Sequence, residues 1–290
     1  MPAVKGDKCP LWGVNEIRLK GGWCGSRFSS MPLSAEGKII DDGLPPSRTH
    51  TMSRAEVAQP VLMPMGRPRP GKCSVLVHAA GGGVGAYTGV GFALRRSGPV
   101  FALRGYGLAP GEEPDRSVAA MTDRYWSLLA ELPEPPQLLF GWSLGGVVAW
   151  ELAARLAEEG RRPRVVMVDS PAARIDRDPA TARRWRERVH ASLAADDSGV
   201  PADRVAATAD AHLDAVVSYR SETRHDCPAL LMPCTDEDND DHLAAWREVA
   251  PRLTVRPLPG DHFTAFDGER LPLVLDHLGA FLTTTEEQHA

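Results

Sequence analysis

From residue 60 onward, apolar positions follow two alternating patterns. Short unbroken apolar runs at residues 74–79, 99–104, 137–140, 165–168, 229–232 and 253–258 read as strands buried on both faces. Between them, apolar residues recur at helical spacing. After Ser117 they fall at Val118, Met121, Tyr125, Leu128 and Leu129, positions i, i+3, i+7, i+10 and i+11 of one face. Further helices are predicted over 87–96, from 144 onward, near 242–249 and over 269–282. Strand alternating with helix predicts an α/β fold, a mostly parallel sheet covered by helices on both faces. Residues 172–222 interrupt the alternation with two charged helical stretches and read as an inserted lid.

Upstream the pattern vanishes. Residues 1–58 hold many Gly, Pro and Ser with little apolar periodicity, which predicts a poorly ordered N-terminal extension. Met52 is a credible alternative start. The expected organisation is therefore one domain over 59–285, with 286–290 as a disordered tail. Apolar content is 43%, and no run approaches the ~18 apolar residues of a membrane span. No basic-then-apolar leader opens the chain, so no membrane association and a cytoplasmic location are expected. The five cysteines form no C-x-x-C pair, which predicts reduced thiols and no metal site. Net charge is −5 and unevenly spread: 10 Lys+Arg against 6 Asp+Glu in the first 70 residues, 23 against 32 in the rest. Such a body offers no basic field for nucleic acid.

The chemistry begins at Gly141-Trp142-Ser143-Leu144-Gly145-Gly146. It follows a strand and precedes a helix, the setting in which G-x-S-x-G forms a tight turn that exposes the serine hydroxyl. Gly141 and Gly145 are read as close approaches between that strand and that helix. The helix start favours negative charge, so the Leu144 N–H is a candidate oxyanion donor. The second donor is expected from the glycine-rich loop after the first long strand, Ala80 first and Gly81 next. No Lys follows these glycines as in a phosphate-binding loop.

Two polar residues stand at strand carboxyl ends in the chain order Ser, Asp, His. Asp169 closes the strand over 165–168, and His262 follows the last strand. His262 would act as general base and Asp169 would hold its tautomer. Asp238, within the acidic cluster Asp236, Asp238, Asp240 and Asp241 one strand later, is the alternative acid. His78 is read as ordering the glycine loop, and His225 as facing the opposite end of the sheet.

Together His78-Ala79-Ala80-Gly81-Gly82, Gly105-Tyr106-Gly107-Leu108, the serine motif, Val168-Asp169-Ser170 and Gly260-Asp261-His262-Phe263 resemble the thioesterase domains of nonribosomal peptide and polyketide synthetases. The resemblance covers roughly residues 60–283. It implies an acyl chain delivered as a thioester on the phosphopantetheine arm of a carrier protein, no cofactor of the enzyme's own, transfer to Ser143, and release by water or an internal nucleophile. Carried over by position, Ser143, Asp169 and His262 match the triad, and Ala80 and Leu144 the oxyanion hole. The acid directly after its strand resembles the chain-terminating domains; editing (type II) thioesterases take theirs where Asp238 lies. A transacylase passing the chain to an amine or hydroxyl is the rival outcome. In the lid, Arg174, Arg177, Arg183, Arg184, Arg186 and Arg188 outnumber Asp176, Asp178 and Glu187. Carrier proteins of this kind are usually acidic, so Arg183, Arg184 and Arg188 are candidate docking residues.

Overall fold

Each apolar run in the alternating region forms a strand of one seven-stranded sheet, ordered β1-β3-β2-β4-β5-β6-β7. The computed structural model describes residues 60–67, 69–172, 175, 178–194 and 199–287. The predicted N-terminal extension, Arg174, Arg177 and the end of the chain from residue 288 lie outside the described residues. The strands are β1 (Leu62–Pro64), β2 (Ser74–Val77), β3 (Val100–Leu103), β4 (Leu138–Trp142), β5 (Arg164–Val168), β6 (Ala229–Met232) and β7 (Leu253–Val255). All neighbouring strands pair parallel except β1, which runs antiparallel to β3. The helices are α1 (Thr88–Leu94), α2 (Val118–Leu129), α3 (Leu144–Glu158), α4 (Pro179–Leu193), α5 (Ala202–Ser218), α6 (Asp240–Val249) and α7 (Leu271–Glu287).

Why the strands read as unbroken apolar runs is visible in their two faces. Val165 and Met167 of β5 join one core with α2, α3, α6 and the end of α5, while Val166 and Val168 join another with α1 and α7. A strand covered on both sides has no polar face to alternate. Two tryptophans fill the first core, Trp150 and Trp246, in an edge-to-face pair 5.5 Å apart. Each satisfies its indole N–H on a backbone carbonyl, Thr223 O at 2.9 Å and Ser170 O at 2.7 Å.

Three boundaries depart from expectation. β1 goes unpredicted because two half-buried residues and an exposed proline at the sheet edge carry no period. The expected strand over 253–258 stops at Val255: Pro257 has no N–H for a ladder, and pairing resumes only as a bridge between Cys234 and Leu258. The last helix runs to Glu287, past the expected boundary at 285. Thr283 and Thr284 turn their hydroxyls back onto the carbonyls of Gly279 and Ala280, so this β-branched run continues the helix instead of ending it.

Candidate active site

At the carboxyl end of β4 the chain turns directly into α3 through Ser143, whose φ of 57° and ψ of −126° are strained for a residue with a side chain. Sterics explain both flanking glycines. A Cβ on Gly141 would lie 2.0 Å from the Gly145 carbonyl carbon, and one on Gly145 would lie 2.2 Å from Val77 O. No side chain fits where β4, α3 and β2 meet. The turn is braced by Ser143 N–H donating to Val168 O at 2.9 Å, and by Tyr87. That tyrosine donates its hydroxyl to Val77 O at 2.8 Å and accepts from Trp142 N–H at 3.0 Å. Burial pushes the Tyr87 phenol above its ordinary range, so it remains a neutral strut.

Asp169 is the other non-glycine residue at positive φ among the described residues, at 43°. Its Oδ1 accepts from Cys234 N–H at 2.8 Å, and its Oδ2 receives His262 Nδ1–H at 2.6 Å. Both side chains are buried. The carboxylate is thus aimed by a backbone donor on one oxygen while the other meets the ring. The His262 ring packs 4.9 Å from the ring of Trp142, the residue before Ser143. Among the described residues no hydrogen bond joins the Ser143 hydroxyl to His262, nor does one engage the N–H of Ala80 or Leu144.

The loop carrying His262 is organised by Asp261, whose Oδ1 accepts from Phe263 N–H at 3.0 Å and Thr264 N–H at 3.1 Å. Its Oδ2 meets Arg188 of α4 at 2.6 Å. Burial works against ionisation of Asp261, but the hydrogen bonds from Arg188 and Thr264 outweigh it and hold the carboxyl below its ordinary range. Arg188 also lies 4.3 Å over the Phe263 ring. Trp185 stands 5.1 Å from both the His262 and Phe263 rings, and Val189 packs with Ala80 and Leu213. Leu193 lies so close to Gly81 that a Cβ there would meet Leu193 Cδ2 at 2.3 Å. Helix α4 therefore sits directly on the glycine-rich turn and the His262 loop.

The other residues singled out in the sequence have partners of their own. Asp238 is exposed and accepts from Asp240 N–H at 3.2 Å in the turn before α6, while Asp169 holds the ring nitrogen. Arg188 is half exposed and tied to Asp261, so its charge is already engaged within the chain. Arg183 faces Glu187 at 3.9 Å and Arg184 donates to Thr181 Oγ1 at 2.8 Å, both exposed. Arg186 bridges to Asp210 and Asp214 of α5. His225 stacks 3.6 Å from the Trp150 ring in the core. The insertion is also less uniform than a lid: α5 is largely buried and belongs to the scaffold. Sequence reading overlooked Tyr87, Trp185 and His212. Of these, His212 carried a signal, since Thr208, Ala211, His212 and Ala215 fall at i, i+3, i+4 and i+7 of one helical stripe.

Sheet order, the strained serine turn and the acid–imidazole pair at the strand ends define an α/β-hydrolase. The thioesterase-domain family model matches residues 75–282, and the chain belongs to that family. It is 28% identical over 220 residues to erythronolide synthase EryA3 of Saccharopolyspora erythraea, covering 73% of this chain and 7% of that protein. To the nonribosomal peptide synthetase atqA of Aspergillus terreus it is 35% identical over 117 residues, 39% of this chain and 12% of that protein. The chain thus spans only a small part of the curated relatives it matches. Among solved structures, the RedJ thioesterase from the prodiginine pathway of Streptomyces coelicolor aligns with a TM-score of 0.62 at 26% identity, covering 78% of this chain and 96% of that one. The type II thioesterase BorB from the borrelidin cluster shares the fold, with a TM-score of 0.62 at 21% identity, covering 76% and 97%. Among the described residues no helix is long and apolar enough to cross a membrane.

Proposed function

We propose that this chain is a serine thioesterase that takes an acyl, peptidyl or polyketide chain from the phosphopantetheine arm of a carrier protein onto Ser143 and releases it by hydrolysis or cyclisation. The observation that carries the reading is the His262–Asp169 contact at 2.6 Å, made beside a serine held in a strained turn. With Nδ1–H given to the carboxylate, the neutral ring keeps a lone pair on Nε2, the tautomer a general base needs. His262 then removes the Ser143 proton as the hydroxyl attacks the thioester carbonyl, and returns it to the departing thiol. Negative charge on the tetrahedral carbonyl oxygen is met by the N–H groups of Leu144, at the start of α3, and Ala80. In the second half, water or a nucleophile within the acyl chain attacks the ester, with His262 again taking the proton. Catalytic hydrogen bonds are often loose before substrate binds, so the serine–imidazole bond is expected to tighten on acylation.

An acyl chain approaching along this face would run beside Trp185, Val189 and Leu193 of α4. The acid stands directly after β5, which favours a chain-terminating domain over an editing enzyme. The test is labelling with a fluorophosphonate probe and turnover of carrier-bound acyl chains, with products read by mass spectrometry. Ser143→Ala should lose labelling and lower kcat on the order of 10⁴–10⁶-fold, and Asp169→Asn by about 10⁴-fold. Labelling that persists in Ser143→Ala would end the serine reading. A product bearing an external amine or hydroxyl in place of water would make the enzyme a transacylase.

A further inference from the structure

Beneath the glycine-rich turn lie two histidines that the proposed mechanism does not use. His78 Nδ1 is 2.7 Å from Ala79 O, and His212 Nδ1, on α5, is 2.9 Å from Ala80 O. A carbonyl only accepts, so both Nδ1 atoms carry the hydrogen. Both residues are fully buried, and the rings stack with centroids 4.9 Å apart and planes 26° from parallel. The other nitrogen of His78 takes the Tyr125 hydroxyl at 2.5 Å. Burial lowers the pKa of both rings, to about 3 for His78, with the neighbouring His212 adding to it, and to about 4 for His212. Neutral rings are what the stack requires, because two facing imidazolium ions would repel.

Consider what these two bonds hold. A peptide unit is planar, with its C=O and the next residue's N–H pointing in opposite directions. Ala79 O shares its plane with Ala80 N–H, and Ala80 O shares its plane with Gly81 N–H. Fixing the carbonyl therefore fixes the direction of the donor behind it, and a bonded carbonyl also polarises that donor. The fold makes room for the arrangement at Gly105, where a Cβ would lie 2.8 Å from His212 Cε1 and 2.7 Å from Gly82 Cα. Among the described residues His212 Nε2 has no partner, although it is buried. An apolar ring would fill the same space without leaving a polar atom unsatisfied, so packing alone does not account for an imidazole here.

Resting on the reading of Ala80 as an oxyanion donor, we propose that His212 is a positioning residue: His78 on Ala79 O sets the plane that carries the Ala80 donor, and His212 on Ala80 O fixes the next plane, so that together they clamp the turn from both sides of Ala80. The inserted helix α5 would thus complete the oxyanion hole from behind without touching substrate.

The experiment uses the full chain and a small free thioester, with kcat and KM measured separately for wild type, His212→Leu and His212→Asn. His212→Leu should lower kcat roughly 10–100-fold, less than the loss of a donor itself, with KM within about twofold. His212→Asn, whose amide N–H can occupy the Nδ1 position, should recover most of the loss. A folded His212→Leu with kcat within about threefold of wild type overturns the proposal, as does an equal loss in Leu and Asn. Should His212→Leu fail to fold, nitrogen-15 NMR of the wild-type imidazoles decides. Neutral Nδ1–H tautomers at pH 6 for both His78 and His212, the latter signal missing in His212→Asn, support the clamp, and an Nε2–H tautomer at either of these rings overturns it. Ser143→Ala separates this failure from that of the proposed function. If that variant turns over as fast as wild type the serine reading falls, whereas Ser143-dependent turnover with an indifferent His212→Leu removes the clamp alone.

Discussion

Helices α4 and α5 belong to one insertion, yet they are different kinds of element. Over its 17 residues α5 buries Thr208, Ala209, Ala211, His212, Leu213, Ala215 and Val216, and its last turn enters the main core with α3 and α6. Over 15 residues α4 buries only Val189. It meets the site through aromatic rings and one ion pair, Arg188–Asp261, whose side chains are 50% and 29% exposed. Apolar area removed from water is what makes a helix expensive to move. The difference teaches that insertion boundaries do not mark structural role: α5 is packed into the core, and α4 lies on the candidate site with few buried residues, as a cover would.

The largest expected effect breaks the scaffold half. Val216→Asp places a carboxylate in the core with no partner and should cost more than about 3 kcal/mol, read as a lower urea midpoint. Ala182→Asp on exposed α4 should change stability by less than about 0.5 kcal/mol. Similar losses in the two variants would mean that α4 is as deeply integrated as α5, and the comparison would fail.

A smaller effect isolates the cover. Trp185→Ala removes ring contacts to His262 and Phe263, of the sort that contribute about 0.5–1.5 kcal/mol each. Global stability should fall by about that amount, while kcat/KM for a small free thioester rises because α4 yields more readily. A fall in kcat/KM of tenfold or more would instead make Trp185 part of the wall that holds substrate.

The ion pair gives the cover a pH dependence whose sign is fixed. Asp261 has a lowered folded pKa, so its contribution is present above its unfolded value, near 3.8, and is lost as pH falls through the folded one. Attachment of α4, followed by amide exchange over 185–193, should be flat between pH 5 and 8 and weaken only below about pH 4. Asp261→Asn should reduce that acid-side change, leaving the part that comes from Asp210, whose carboxyl is also held below its ordinary range, against burial, by Arg186 and His190 of α4. Loosening of α4 between pH 6 and 7 would implicate a histidine instead.

How much of this was legible in the sequence follows the same divide. The sheet was readable because two-sided burial leaves unbroken apolar runs, and Ser143 because the turn admits only glycine at 141 and 145. Asp169 and His262 were readable as strand-end residues in a fixed chain order, with Asp169 ranked ahead of Asp238, but the contact that separates the two carboxylates was not. Both carboxylates follow a strand and both accept a backbone N–H, but only Asp169, held by Cys234 N–H, reaches the ring. Charge counting over α4 missed the partner of Arg188 for a related reason. A count over 173–190 does not include Asp261, which lies more than 70 positions away and neutralises that arginine across space. Tyr87 left no trace, since one buried hydroxyl bridging two backbone groups has no period.

The smallest effect concerns the cations left on the outer face of α4. Arg183 meets Glu187 only at 3.9 Å, and Arg184 bonds a neutral hydroxyl, so neither is strongly committed within the chain. Exposed pairs of this sort contribute about 0.3–0.5 kcal/mol, and reversing both charges should leave the fold intact. If an acidic carrier protein docks over the cover, Arg183→Glu with Arg184→Glu should raise KM for carrier-bound substrate by roughly three- to tenfold at low salt. The effect should shrink as added salt shortens the screening length, and small free thioesters should be unaffected. Arg188 is kept in this variant because removing it would unfasten α4 and confuse docking with closure. An equal rise in KM for free and carrier-bound substrates would show that the charges act on the cover itself, and would leave α4 a lid without a docking face.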